Sequence, residues 1–378
     1  MTKTLRSLML SALLVFGAVL AGPVVSSQAT TTKQNFEKAL NAVMAQENGP
    51  PGISVQIVKN GKSQYFSRGK GNLKTGAKPK LKEHFRIASV AKAFNGGVAF
   101  SLVKQGKLKL SDTIGDLLPG LLPKANKVTL AQALHHTGGL PDYIRQPSFI
   151  KVLQADPRQF LPPKKLLTYV KNKKLTSKPG KKYEYSDTDN IVVALMAEKV
   201  TGVPYEKLLK RQLYNRLNLG QTSLPKTVNM PKPFLRGYEV NAGEPTTDET
   251  KFINPALAWA SGGIVSILPD VGRFFRGYVG GKLLTPKLKR AQRSWVTGSS
   301  SPPGPGTNKA GLALFKYTSK CGTVYGHTGS FPGYRIMAVS SADGTRSISY
   351  VANAQITEGP ISDLIRKSQV EAVCHALK

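Results

Sequence analysis

Phe36, Leu40, Val43 and Met44 recur at the three- and four-residue spacing of one helical face, which predicts an amphipathic helix over residues 33–46. The Gly49-Pro50-Pro51-Gly52 break ends it. ISVQIVKNGKSQYFSRG then reads as two strands joined at Asn60-Gly61, a dipeptide suited to the positive φ angles of a tight hairpin turn. From about residue 112 to 252 the periodicity turns mostly helical between Pro- and Gly-containing turns. Helices are predicted after Thr129 and over 164–174, 190–200 and 205–217. Short β-rich runs follow, GLALFKY, TVYGHTG, GYRIMAVSS and TRSISYVANA, and a helix over 361–377 closes the chain. The pattern predicts an α+β fold: an antiparallel sheet flanked by N- and C-terminal helices, with a large helical insertion at about 112–252. SSSPPGPG, residues 299–306, reads as a surface loop, and there is no internal repeat.

One apolar run, Leu8 to Val25, belongs to no amphipathic element. It follows Lys3 and Arg6 and leads to the small residues around Ser27-Gln28-Ala29, the layout of a secretory signal peptide. We therefore expect a signal over residues 1–29 and one exported domain over 30–378, secreted or held at the cell wall. A retained membrane anchor is the alternative, but Gly17, Gly22 and Pro23 interrupt the run and it is short for a span. Export changes the reading of Cys321 and Cys374, the chain's two cysteines. In a non-reducing compartment they suggest one disulfide, the alternative being two buried thiols.

The formal net charge of +33 over 378 residues favours polyanions, which for an exported protein means cell-wall polymers or acidic lipid headgroups. A solvated basic surface without a specific partner is the plainer reading. The lysines form no aromatic-interleaved stripe and no nucleic-acid module is recognisable, so no nucleic acid is expected. No metal-ligand spacing occurs and no cofactor is expected. A monomer is expected.

Ser-x-x-Lys occurs five times, at Ser67/Lys70, Ser89/Lys92, Ser101/Lys104, Ser148/Lys151 and Ser223/Lys226, so the bare pattern decides nothing in a lysine-rich chain. Ser89 differs by context. In FRIASVAKAF it follows an extended segment and opens a helix, where free N–H groups and the dipole favour developing negative charge. Ser89 and Lys92, three residues apart, share one helical face. YEYSDTDN offers Tyr185 and Asp187 at the start of another helix. YGHTGSFPGY sets His327, Thr328 and Gly329 on a strand, where the glycine admits a close ligand. The N–H groups of Ser330 and Ser89 would together form an oxyanion hole. A Ser-His-Asp triad on an α/β-hydrolase is not expected, because no Gly-x-Ser-x-Gly elbow occurs.

Taken in order, SVAK, YSD and HTG resemble the three motifs of the serine penicillin-recognising family: DD-peptidases, class C β-lactamases and related esterases. LHHTGGLPDY and WASGGIVS extend the resemblance over most of the chain after the signal. It implies that Ser89 forms an acyl-enzyme, that Lys92 and Tyr185 act as the base system, and that Tyr185 protonates the leaving amine. It also implies that His327 and Thr328 hold substrate carboxylate or backbone, and that Trp259 lines the site. Asp187 stands where the family usually has Asn; it is either neutralised in an ion pair or shifts substrate preference. His-Thr-Gly, and a cysteine pair tying the strand region to the last helix, resemble exported D-alanyl-D-alanine carboxypeptidases and D-aminopeptidases more than lactamases. The expected activity is therefore D-alanyl-D-alanine carboxypeptidase on peptidoglycan stem peptides. A β-lactamase or esterase of the same fold, or a non-catalytic penicillin- or wall-binding protein, is the alternative. The arginine those carboxypeptidases use for the terminal carboxylate has no clear match, Lys316 being the nearest candidate. His135 and His136 are expected only to cap and pack a helix end.

Overall fold

A computed structural model describes residues 24–378, with side chains from residue 30 onwards. The expected signal, residues 1–29, lies outside these bounds apart from the backbone of the first turns of α1 (Val24–Met44). β1 (Gly52–Lys59) and β2 (Lys62–Gly69) form the predicted hairpin, with Asn60 and Gly61 at φ of 50° and 81°. Six strands near the C-terminus join them: β3 (Val296–Thr297), β4 (Thr307–Gly311), β5 (Leu314–Ser319), β6 (Gly322–Phe331), β7 (Tyr334–Ser340) and β8 (Arg346–Ala352). The result is one eight-stranded antiparallel sheet in the order β2-β1-β8-β7-β6-β5-β4-β3.

Period-two alternation gives β1, β7 and β8 two buried faces. Ile53, Val55 and Ile57 of β1, Met337 and Val339 of β7, and Tyr350 of β8 join Phe36, Leu40 and Val43 of α1 and Ile365 and Val373 of α5 (Gly359–Leu377). Ile336, Ala338 and Val351, alternating with these, join the larger core on the other side. That side holds α2 (Ala91–Lys104), α3 (Asp187–Thr201) and α4 (Leu268–Gly280). The periodicity had not singled out α4, although it covers the middle of the sheet. Val271, Phe274, Phe275 and Tyr278 fall at helical spacing and are buried, but its glycines and arginines disguise it as a loop. Gly272 is the close approach: a Cβ there would lie 3.0 Å from Ser349 Oγ on β8.

The helical region is shorter than the pattern predicts. Its helices run from Ile114 to Leu217, and 218–252 holds only loops and a two-residue strand pair. Pro225, Pro231, Pro233 and Pro245 remove backbone donors there and stop further helix. The disulfide forms: Cys321, in the turn before β6, is bonded to Cys374 of α5. Among the described residues no helix is long and apolar enough to cross a membrane.

Candidate active site

The nucleophile's position begins with a short strand. Phe85–Arg86 pairs with Val265–Ser266, and the chain then turns sharply at Ala88, whose φ of 51° is unusual for a residue with a Cβ. The turn Ala88–Val90 carries Ser89 to a pocket wall and leads directly into α2. α2 is buried from Ala91 to Leu102, so its start is held rigidly. Its small residues allow this: a Cβ at Gly96 would strike Ala313, and one at Gly97 would strike Leu213. Lys92, 1% exposed, directs Nζ to Ser89 Oγ (3.1 Å), Asp187 Oδ1 (2.6 Å) and the Ser261 carbonyl (2.9 Å). Of the five Ser-x-x-Lys serines, Ser89 alone is on this pocket, and Ser101 Oγ is instead bonded to Gln212 Oε1.

Asp187 opens α3, where the helix dipole favours a carboxylate, and its ion pair with Lys92 realises the first of the two expected alternatives. Tyr185, just ahead of that helix, places its ring 4.9 Å from Lys92 Nζ. The hydroxyl is shielded from solvent and, among the described residues, meets no partner of hydrogen-bond geometry. Burial, then the charge of Asp187, pushes Tyr185 well above the usual phenol range, with the nearby Ser89 side chain acting in the opposite direction. Tyr185 is thus a neutral phenol at rest. His136 lies flat against it, ring centroids 4.6 Å apart. Its Nδ1 meets both the Ser186 N–H (3.3 Å) and Asp189 Oδ2 (2.8 Å). One unprotonated Nδ1 accepts both hydrogen bonds if the Asp189 carboxyl keeps its proton. The environment favours that arrangement, since burial raises Asp189 and lowers His136. His136 therefore supports the Tyr185 ring rather than merely ending a helix.

The third wall is β6. Only Gly322–Gly326 of this strand pairs with β5, whereas the stretch up to Phe331 pairs with β7 alone. Its other edge is left open beside the Ser89 turn. A Cβ at Gly329 would sit 2.8 Å from Ser89 N and 3.0 Å from Ala88 Cβ, so only glycine leaves that space clear. Ser330 lines the pocket with Ser89. His327 and Thr328, the residues expected to hold substrate, are not on this wall. The Thr328 hydroxyl is taken by Ser300 Oγ (2.8 Å) and the Pro302 carbonyl, fastening the 299–302 loop to β6. His327 is buried with Nδ1 against the Thr328 carbonyl; burial and the Lys92 charge lower it to about 3, leaving it uncharged. Trp259 is core, 4% exposed and tilted against Tyr205 at 5.1 Å. Its segment reaches the site through Ser261. Lys316 lies opposite Tyr325 on the sheet and is not on the pocket wall.

The pocket has a volume of about 370 Å³. Ile144, Phe149, Leu153, Ile253, Leu257 and Phe331 give it an apolar lining, and Asp142 and Arg145 add charge that the motif reading missed. Asp142 stands inside the LHHTGGLPDY stretch, but nothing local marks it as facing Ser89. Its Oδ1 accepts the Asp187 and Ile144 N–H groups (3.2 and 3.4 Å), and Arg145 Nε lies 3.7 Å from Oδ2. Burial, then the neighbouring Asp187, pushes Asp142 up to about 7. Among the described residues no group of three or more His, Cys, Asp or Glu could hold a metal.

Known proteins match this arrangement. A β-lactamase from Pseudomonas fluorescens is 30% identical over 221 residues, 57% of either chain. Protein flp of Staphylococcus aureus (strain N315) is 28% identical over 229 residues, 58% of this chain and 44% of its own; the match thus spans less than half of that relative. The crystal structure of a D-stereospecific amidohydrolase from Streptomyces sp. superposes with a TM-score of 0.78 at 27% identity, covering 88% of this chain and 97% of its own. A family model described as Beta-lactamase matches residues 34–369. The chain belongs to the β-lactamase family, serine hydrolases of the penicillin-recognising superfamily.

Proposed function

We propose that this protein is an exported serine hydrolase that cleaves amide bonds of D-amino-acid derivatives through an acyl-enzyme on Ser89. The observation that carries the reading is the Ser89–Lys92–Asp187 chain of contacts, 3.1 and 2.6 Å long, opening on an apolar pocket. Passage of a proton from Lys92 to Asp187 leaves an amine that takes the Ser89 proton as Oγ attacks the carbonyl. The oxyanion forms at the Ser89 N–H, in the space that Gly329 keeps clear. Tyr185, a neutral phenol, gives its proton to the leaving amine; water then hydrolyses the ester, its proton returning to Tyr185 while the proton held by Asp187 returns through Lys92 to Ser89 Oγ. The likeness to the D-stereospecific amidohydrolase supports the substrate class.

A second reading, D-alanyl-D-alanine carboxypeptidase on peptidoglycan stem peptides, is favoured by Arg145 at the pocket mouth, a cation suited to a terminal carboxylate. Against it stands a shielded carboxylate on the same wall, Asp142, its side chain 7% exposed. In either case the net charge of +33 suits retention at an anionic cell wall.

Intact-mass analysis with penicillin over time, beside Ser89→Ala and Ser101→Ala, tests the acyl-enzyme. One adduct, lost only in Ser89→Ala, is the expected result. Lasting modification of Ser89→Ala, or neither adduct nor turnover of any amide by the native protein, would refute the proposal.

A further inference from the structure

Asp142 has no part in the proton transfers above, yet it faces the same pocket as Ser89. Its side chain is only 7% exposed, and both N–H groups donated to it converge on Oδ1. Among the described residues Oδ2 accepts no hydrogen bond, and its neighbouring cation, Arg145, lies 3.7 Å away on a side chain that is 75% exposed. Asp187 differs: its Oδ1 is paired with the buried Lys92 at 2.6 Å. The carboxylate that a residue seated here meets without a buried cation bonded to it is therefore Asp142, while the guanidinium at the mouth is screened by water. Burial of Asp142 beside Asp187 keeps a proton on it up to about pH 7, the mark of an anion short of cationic partners.

We propose that Asp142 is a specificity determinant that selects substrates bearing a free α-ammonium group on the residue whose carbonyl Ser89 attacks. Asp142 Oδ1 takes the Asp187 N–H, Asp187 Oδ1 takes Lys92 Nζ, and Nζ reaches Ser89 Oγ, so three contacts link the Asp142 carboxylate to the nucleophile. This chain borders a pocket of about 370 Å³, room for an amino-acid residue beside Ser89. The ammonium faces Asp142, and the side chain lies against Phe149, Leu153 and Leu257. An N-acylated residue brings a neutral amide to that carboxylate, and an anionic group is repelled. The enzyme thus trims residues with free amino termini, or simple amino-acid amides. The inference rests on the acyl-enzyme reading and narrows its substrate.

The test compares D-phenylalanine p-nitroanilide with its N-acetyl and N-succinyl derivatives at pH 8, in the native protein and in Asp142→Asn, whose Oδ1 still accepts both N–H groups. Native protein should prefer the free amine by about tenfold or more in kcat/KM, with the succinyl substrate poorest. Asp142→Asn should lower the ratio of free-amine to N-acetyl substrate by about tenfold, mostly through KM. Preference of the native protein for either acylated substrate overturns the inference with no variant needed. An unchanged ratio in Asp142→Asn also overturns it, whatever the folded fraction, because a ratio is independent of enzyme concentration. If penicillin acylates Ser89 in the same preparation, such a failure strikes the specificity alone. If neither acylation nor anilide hydrolysis occurs, the acyl-enzyme reading falls and takes the inference with it.

Discussion

Asp142→Asn should make the protein more stable above neutral pH. A carboxyl whose folded pKa is raised to about 7 from 3.8 binds its proton more tightly in the folded than in the unfolded chain. Its contribution is therefore unaffected below about pH 4 and becomes a growing penalty as pH climbs towards 7. At 1.36 kcal/mol per unit, a shift of about three units sets an upper limit of about 4 kcal/mol. The groups bearing on Asp142 are Asp187, which raises it, and Lys92 with the Asp187 and Ile144 N–H groups, which lower it; Arg145 lies at 3.7 Å. Asparagine removes the charge and keeps the acceptor, so the native-minus-variant difference isolates this penalty. Unfolding entropy of roughly 0.7 kcal/mol per kelvin for a chain of this size converts the limit to about 6 °C in Tm. Thermal unfolding of both proteins from pH 4.5 to 8.5 should give melting curves that diverge through pH 5–7, the variant ending higher. Parallel pH profiles, or a variant less stable than the native protein at pH 8, would refute the reasoning. A charge kept in the pocket at the expense of stability is what a specificity determinant requires.

Gly329→Ala places a methyl group 2.8 Å from Ser89 N and should slow acylation by penicillin about 100-fold or more, with the sheet's circular dichroism retained. Acylation at the native rate would mean that the carbonyl oxygen binds elsewhere. Removing the Cys321–Cys374 bond, which spans 53 residues, should lower unfolding free energy by up to about 4 kcal/mol in urea titrations of a double-alanine variant. Coincident curves for the oxidised protein and the variant would contradict that origin of stability.

Local chemistry determined a good deal of this protein. Asn60-Gly61 specified the hairpin because few other dipeptides accept two positive φ angles, and the final strands were legible from alternation bounded by turns. Ser89, Lys92, Tyr185 and Asp187 could be named because each stands in a short ordered motif. α4 was not legible, since its arginines and glycines make sense only against β8, where Gly272 meets Ser349 and Arg276 donates to Ser347 Oγ at 2.7 Å. The same limit governed the site. The sequence places His327 and Thr328 on a strand, but the fold decides which face they take, and burial turned them into supports for β6 and its neighbouring loop. Asp142 and His136 carry no local mark at all. Their significance comes from residues 45 and 50 positions further along, Asp187 N and Ser186 N, which the packing of α3 brings within hydrogen-bond reach. Which groups can react is written in residue types and spacing. The charge, protonation and company of those groups depend on burial, and burial exists only once distant segments have met.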